Sequence, residues 1–349
     1  MAHIFKKYNK NNNQKGIFVI THKEIGMFES LPKKIKDYYY MGVHYGSASH
    51  LQGATKMHIQ DFSMGRESTV KFIDKEPFRI PYNSRAFTPE YYKENPEIPK
   101  YWDIINVSRN AHVKRLDTFL HSIRKLYDSG NKYKVLLVVP SSTNEQPDTH
   151  LVDIIKMYQQ MFTRKEREFF TLMRLSSELG FLGISPRTIA YFYQSSKISC
   201  LLSSAEGESR VIHEALLCGL PVVCYAGLLG GGRDYLNETN SVQFRDYNHI
   251  HNSFIKAISG YDKLKVESDF LSEELREDRT LPKLKKYFSD LYKENSDTFD
   301  NNLINVDELS LRLPAHYLDL PWNTEHGNGQ TADICSKEQM RIFMGELMK

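Results

Sequence analysis

No run of apolar residues in this 349-residue chain approaches the roughly 18 that a membrane-spanning helix needs. The longest, Val135–Pro140 and Ile198–Leu202, are the size of strands. That excludes a helical membrane span. The N-terminus has lysines and asparagines but no apolar stretch followed by small residues, so no secretory leader is expected. The four cysteines, Cys200, Cys218, Cys224 and Cys335, form no CxxC pair and have no ladder of histidines beside them. A disulfide frame and a zinc site are therefore not expected; reduced, mostly buried thiols of a cytoplasmic protein are. A net charge of +3 is too small to name a partner. What the chain does have is 40% hydrophobic and 26% charged residues, enough for a packed core and against global disorder.

Along the chain, residues 1–15 are lysine- and asparagine-rich and read as a flexible end. Gly16–Thr21 (GIFVIT) reads as a strand. From Lys23 to about Arg79 the pattern is weak. Pro77, Pro81, Pro89, Pro96 and Pro99 then recur among tyrosines and charges, which predicts a linker without regular structure. Beyond Trp102 the rhythm is regular. Strands are expected at Asp103–Val107, Lys134–Val139, Phe181–Ile184, Ile198–Leu202 and Pro221–Cys224. Helices are expected at Leu116–Tyr127, Leu151–Phe170, Pro186–Ser195 and Ser209–Cys218. Strands alternating with helices imply a doubly wound parallel sheet. Residues 261–300 carry 11 acidic and 8 basic residues and read as a solvated helical region. The end is irregular, then helical near Lys337–Met348.

The stretch Ile198–Asn237 carries the chemistry. It reads as a buried strand, a small-residue turn, a helix, a strand and a glycine-rich loop. The turn Ser203–Ser209 would lie at the carboxyl end of a parallel strand, where open α/β sheets bind ligands. Free N–H groups at the following helix start, at Ser209, Arg210 and Val211, favour an anion such as phosphate. Glu206 stands in the turn, and Glu214 lies two helical turns on, on the same side. One carboxylate can meet a polyol and the other ribose hydroxyls. Gly230, Gly231 and Gly232 let a second backbone approach closely. The bland alternatives are that both glutamates are turn and surface acids and that the glycines form a plain turn. His213 reads as a packed helix residue.

Glu206-Gly207, Glu214-Ala215 and Gly219-Leu220-Pro221-Val222-Val223 together resemble the donor-domain motif of GT-B glycosyltransferases of the group 1 type, also called family 4. Ile105–Leu126 is similar to the family's first strand and helix of that domain, with Arg109 and Lys114 at the positions that hold the donor diphosphate. Phe181–Ser204 is similar to the elements leading into the motif, and Arg79–Glu90 (RIPYNSRAFTPE) to the interdomain linker. The sequence departs from the pattern at Glu208, Ser209, His213 and Asp234.

The resemblance implies an α/β fold of GT-B type: a Rossmann-type doubly wound donor domain beside a shortened N-terminal α/β domain. The expected division is an acceptor-side domain at 1–79, a linker at 80–101, a nucleotide-sugar-binding domain at 102–290 and an extension at 291–349 that crosses back. It implies retaining transfer from a UDP- or GDP-sugar to a hydroxyl of a glycan or lipid-linked sugar. Glu206 would orient the sugar, Glu214 the ribose, and Arg109 with Lys114 the leaving diphosphate, while Phe181 would flank the base. His44, in the loop Gly42–Ser49, is the candidate acceptor-side histidine, chosen over His22, His50 and His58. No two aspartates lie two apart, so no metal and no cofactor beyond the donor is expected. The abbreviated N-terminal half would be completed by a partner or a second copy, or would leave a small cleft. A non-catalytic nucleotide-sugar-binding module is the alternative from another class. A basic N-terminus, with eight Lys/Arg against three Asp/Glu over residues 1–40, also leaves a hydroxylated DNA base as an acceptor. The expected setting is cytoplasmic, including the inner membrane face.

Overall fold

The fold comes from a computed structural model that describes residues 2–21, 33–45, 60–65, 78–140, 149–175, 184–300, 304–306 and 309–313. The chain divides into two compact units, Met1–Pro89 with Glu273–Lys349, and Glu90–Ser272.

The first unit is built on strands β1 (Ala2–Lys6), β2 (Gly16–Thr21), β3 (Tyr39–His44), β4 (Phe62–Met64) and β5 (Phe78–Ile80). They form one sheet in the order β1-β2-β3-β4-β5. β1 runs antiparallel to β2; the other pairs are parallel. The N-terminus is thus an edge strand, not a flexible end. Ile4 and Phe5 are buried, and Lys6 is buried too, its ammonium donating to the Asp300 carbonyl at 3.0 Å. Two core residues among lysines carry too little pattern to be read from sequence.

β3 is buried along its whole length, so it shows no alternation of apolar and polar residues. The expected linker also carries structure. Phe78–Ile80 is a strand, and a short 3-10 turn at Ser84–Phe87 buries Ala86 and Phe87. Asn83 caps that turn, its side chain accepting from the Arg85 N–H at 3.0 Å.

The division between units falls after Pro89 and after Ser272, not at the expected 79, 101 and 290. The physical reason is the helix Glu277–Glu294. Its charges face out, but Leu284, Phe288, Leu291 and Tyr292 are buried with Phe5, Tyr40, Phe62 and Ile80 in the core of the first unit. Phe288 meets Phe5 edge-on at 4.9 Å. Thr280 donates its hydroxyl to the Ala86 carbonyl. The helix read as a solvated face therefore supplies much of that core. Of the expected C-terminal extension, Lys337–Met348 lies outside the described residues.

The second unit is a parallel sheet of β6 (Trp102–Val107), β7 (Val135–Val139), β8 (Phe170–Arg174), β9 (Ser196–Leu201), β11 (Val222–Tyr225) and β13 (Ser241–Phe244), in the order β13-β11-β9-β6-β7-β8. A small parallel ribbon pairs β10 (Ala205–Glu208) with β12 (Leu229–Gly231). Helices α1 (Leu116–Asp128), α2 (Thr149–Met161), α3 (Pro186–Gln194) and α4 (Arg210–Leu217) lie between the strands, and α5 (Ile250–Ser259) follows the last of them. α1 buries Leu116, Phe119, Leu120, Ile123 and Leu126, the stripe its spacing predicts. The helix expected over Leu151–Phe170 ends at Met161; β8 follows as an edge strand whose partly exposed residues hide its character. The strand expected at Phe181–Ile184 falls almost wholly outside the described residues.

Candidate active site

The polar groups of the second unit collect where its strands end. β6 runs into a 3-10 turn, His112–Lys114, which leads to α1. The turn buries Lys114, and the lysine ammonium bonds the carboxylate of Glu206, from β10. The side chains are only 10% and 12% exposed, so this pair is shielded from solvent screening. Two residues 92 positions apart are thereby brought together.

The ribbon β10–β12 fixes Glu206. Gly230 has φ +100°, and a Cβ built on it would lie 1.7 Å from the Glu206 carbonyl oxygen. Only glycine lets the loop pass so close. The Leu229 N–H donates to Ser204 at 3.0 Å and the Ser209 N–H to Gly231 at 3.3 Å. Of the expected anion-facing amides, that of Ser209 is thus engaged within the ribbon, and α4 begins at Arg210. A Cβ on Gly232 would stand 3.3 Å from the Ser209 Cβ. Ser209 caps α4 by position but not by a side-chain bond. Its hydroxyl is buried, and Ser203 Oγ and Asn110 Oδ1 are likewise buried; none of the three has a hydrogen-bond partner among the described residues. Native proteins satisfy most such groups. Ser203 and Asn110 went unnoticed in the sequence; small polar residues just beyond buried strands are the signal that marks them.

Glu214 is held differently. Arg210, one turn earlier on α4, donates from Nε to Glu214 Oε1 at 2.9 Å, with side-chain exposures of 19% and 7%. Arg210 therefore contributes a side chain as well as the amide anticipated from sequence. Tyr92 and Tyr193 are buried around this pair. Burial, and then the Glu214 charge, pushes both phenols well above their usual range. Val211 sits in the first turn of α4, partly buried. Arg109 is exposed just past β6. His213 is fully buried and meets Tyr235 edge-on at 5.0 Å, the packed residue expected. Cys200, Cys218 and Cys224 are buried thiols whose pKa values burial raises, Cys224 to about 12. Phe181 lies outside the described residues, as do His22, His50, His58 and Cys335.

His44 belongs to the first unit. It is buried at the end of β3, and its Nε2 accepts the Ser84 backbone N–H at 3.2 Å. That bond fixes the neutral ring with its proton on Nδ1. Among the described residues no group of three His, Cys, Asp or Glu could hold a metal ion, and no helix is long and apolar enough to cross a membrane.

Two α/β units, the first on a mostly parallel sheet and the second on a parallel one, have the GT-B fold. The sequence profile described as "Glycosyl transferases group 1" matches residues 88–266, just over half the chain, and the chain belongs to that family. Solved structures share the fold at low identity. The pneumococcal O-GlcNAc transferase GtfA, solved with UDP and GlcNAc, aligns at a TM-score of 0.52 and 14% identity, covering 77% of this chain and 54% of its own. TarM of S. aureus aligns at 0.56 and 13%, covering 78% and 54%. Sucrose-phosphate synthase from Thermosynechococcus elongatus aligns at 0.56 and 14%, covering 80% and 74%. The chain thus spans about half the length of GtfA and TarM. No curated protein sequence matches it.

Proposed function

We propose that this glycosyltransferase moves a sugar from a UDP- or GDP-sugar to a hydroxyl of a glycan or lipid-linked acceptor, with retention of anomeric configuration and with protein cations serving the leaving group. The observation that carries the reading is the buried Lys114–Glu206 pair at the carboxyl edge of the sheet. A donor would exchange this pair for two better ones. Lys114 would turn to the diphosphate, and Glu206 would accept from the sugar hydroxyls. Both ions would stay paired, so neither would be left buried and alone.

In the transfer step the bond from the anomeric carbon to the phosphate oxygen breaks as the acceptor oxygen bonds the same carbon on the same face. The departing phosphate takes the acceptor proton. The charge grows on the diphosphate, where Lys114, Arg109 and the first-turn amides of α4 act electrostatically. Glu214, paired with Arg210, would accept from the ribose. Ser209, Ser203 and Asn110 supply unpaired polar atoms to the same region. His44 has no part in this scheme, since its Nε2 is committed to Ser84.

GtfA and a TarM variant were both solved with UDP, which favours a uridine donor. The GtfA/B complex among the neighbours favours a partner chain on the acceptor side. A panel of UDP-, GDP- and ADP-sugars, assayed with glycan and lipid-linked acceptors, tests the proposal. Turnover that Glu206→Ala and Lys114→Ala abolish is expected. Donor binding without turnover in the presence of candidate partners would instead identify a binding module.

A further inference from the structure

Arg115 follows Lys114 and occupies the left-handed region, with φ 52° and ψ 47°. Residues with a Cβ avoid this conformation because it crowds the next carbonyl, and those held in it cluster at functional sites. Two backbone bonds define the turn. The Arg115 N–H donates to His112 at 3.0 Å, and the Arg115 carbonyl accepts from the Phe119 N–H at 3.0 Å. The side chain adds a third hold. Its guanidinium lies 4.2 Å from the centre of the Tyr247 ring. Tyr247 stacks in turn on Tyr225, with centroids 5.1 Å apart and planes 28° apart, and meets Phe244 edge-on.

Tyr225 ends β11 and opens the glycine loop. Its ring lies so close to Gly227 that a Cβ there would stand 2.6 Å from it. The Leu228 N–H donates to the Tyr225 carbonyl at 3.0 Å. Two residues later Gly230 passes against the Glu206 backbone. The contacts therefore close a ring: Lys114, Arg115, Tyr247, Tyr225, the loop, Glu206 and back to Lys114.

We propose that Arg115 is a positioning residue, and that the stack Arg115–Tyr247–Tyr225 locks the turn carrying Lys114 and ties it to the loop backing Glu206. The catalytic consequence rests on the proposed function; the positional claim does not. Without the stack the strained turn has no side-chain hold, and Lys114 leaves Glu206. Glycine at position 115 removes the strain, so the turn keeps its shape without the stack.

The test acetylates surface amines with a limiting reagent and reads Lys114 by mass spectrometry in the intact chain, beside Arg115→Ala, Tyr247→Leu and Arg115→Gly. In the parent the buried, paired Lys114 reacts slowly. In Arg115→Ala and Tyr247→Leu it reacts about tenfold faster, the factor that loss of a partly buried cation–π contact carries. Arg115→Gly stays near the parent rate, and Tyr247→Leu added to it changes nothing further. With a donor that is turned over, Arg115→Ala and Tyr247→Leu lower kcat/KM and Arg115→Gly restores it. A merely structural role would lower the melting temperature of Arg115→Ala and Tyr247→Leu and leave Lys114 labelling at the parent rate.

Unchanged Lys114 labelling in Arg115→Ala and Tyr247→Leu overturns the proposal, and so does equal labelling of the alanine and glycine variants. If the labelling follows the expected order while no nucleotide sugar is bound or turned over, the clamp stands and the functional reading falls.

Discussion

Gly230→Ala is the sharpest perturbation the site offers. Its added Cβ would stand 1.7 Å from the Glu206 carbonyl oxygen, and ordinary contact begins at 3.4 Å, so the backbones must part by more than an ångström. φ is also +100°, where alanine is disfavoured by about 1–2 kcal/mol. Overpacking adds about 1–3 kcal/mol, for a total of roughly 2–5 kcal/mol. Gly130→Ala separates the two contributions. Gly130, just past α1, has φ +86° but nothing within 4 Å of an added Cβ, so it carries the conformational cost alone. In a unit of this size 1 kcal/mol moves the melting temperature by about 2–4 °C. Gly130→Ala should therefore melt a few degrees lower with unchanged kcat/KM. Gly230→Ala should melt lower still and lose about a hundredfold in kcat/KM, because a shift of about 1 Å in a catalytic group carries that cost. The assays are calorimetry and donor turnover, with Lys114 labelling as a readout that needs no donor. If Gly230→Ala keeps parental kcat/KM and labelling, Glu206 is not held by this contact and the reasoning fails.

Three further outcomes are expected. Arg124 holds Glu166 through two bonds, at 2.7 and 3.0 Å, and with Thr163 lowers its pKa to about 2. The folded pKa is the depressed one, so the stabilisation is complete above the unfolded value near 4.5 and is lost as pH falls toward 2. Solvent screening keeps it near 1 kcal/mol, and the stability gap between the parent and Glu166→Gln, measured by urea unfolding, should close as pH falls from about 5 to about 2. Phe288→Ala removes a fully buried ring from the core of the first unit and should cost about 3–5 kcal/mol in urea unfolding; a cost under 1 kcal/mol would mean that the helix Glu277–Glu294 does not complete that core. Arg210→Met leaves the Glu214 carboxylate buried without its partner and should cost about 3–5 kcal/mol; Arg210→Met combined with Glu214→Gln should recover part of that, and full additivity in the unfolding cycle would argue against the pairing.

The second unit was legible because its signals are local and redundant. GLPVV is a strand start and α1 carries an unbroken stripe, although Glu206 falls on β10 and Glu214 on α4, not on one helix face. The first unit was illegible for the opposite reason. β3 is buried on both faces, so Tyr39–His44 alternates nothing. β4 and β5 have three residues each, too few for any period. The helix Glu277–Glu294 hides a core stripe under charge, and only its packing against Phe5 and Phe62 gives it away. Within the site, types and positions were readable but partnerships were not. Arg210 was expected to offer its amide, yet its side chain bonds Glu214. Arg115 drew no attention, because a left-handed arginine has no sequence signature.

Two ion pairs of the second unit, Arg210–Glu214 and Lys114–Glu206, are held in different ways. Arg210 and Glu214 share one helix four residues apart. Their spacing is set by the helix, so the pair persists as long as α4 does. Lys114 and Glu206 come from segments 92 positions apart, one on a 3-10 turn and one on a short ribbon. No single element enforces that pair; it depends on the turn and the ribbon being held independently. A pair of this kind can open without unfolding a helix, provided that each ion meets a new partner at once. A nucleoside diphosphate sugar has that pair of partners in one molecule, phosphate for the lysine and hydroxyls for the glutamate. A nucleoside diphosphate without the sugar satisfies only the first and leaves Glu206 buried with its charge unmatched. The intact donor should therefore bind more tightly than its own leaving group, and Glu206→Gln should erase that difference by weakening the donor while sparing the diphosphate.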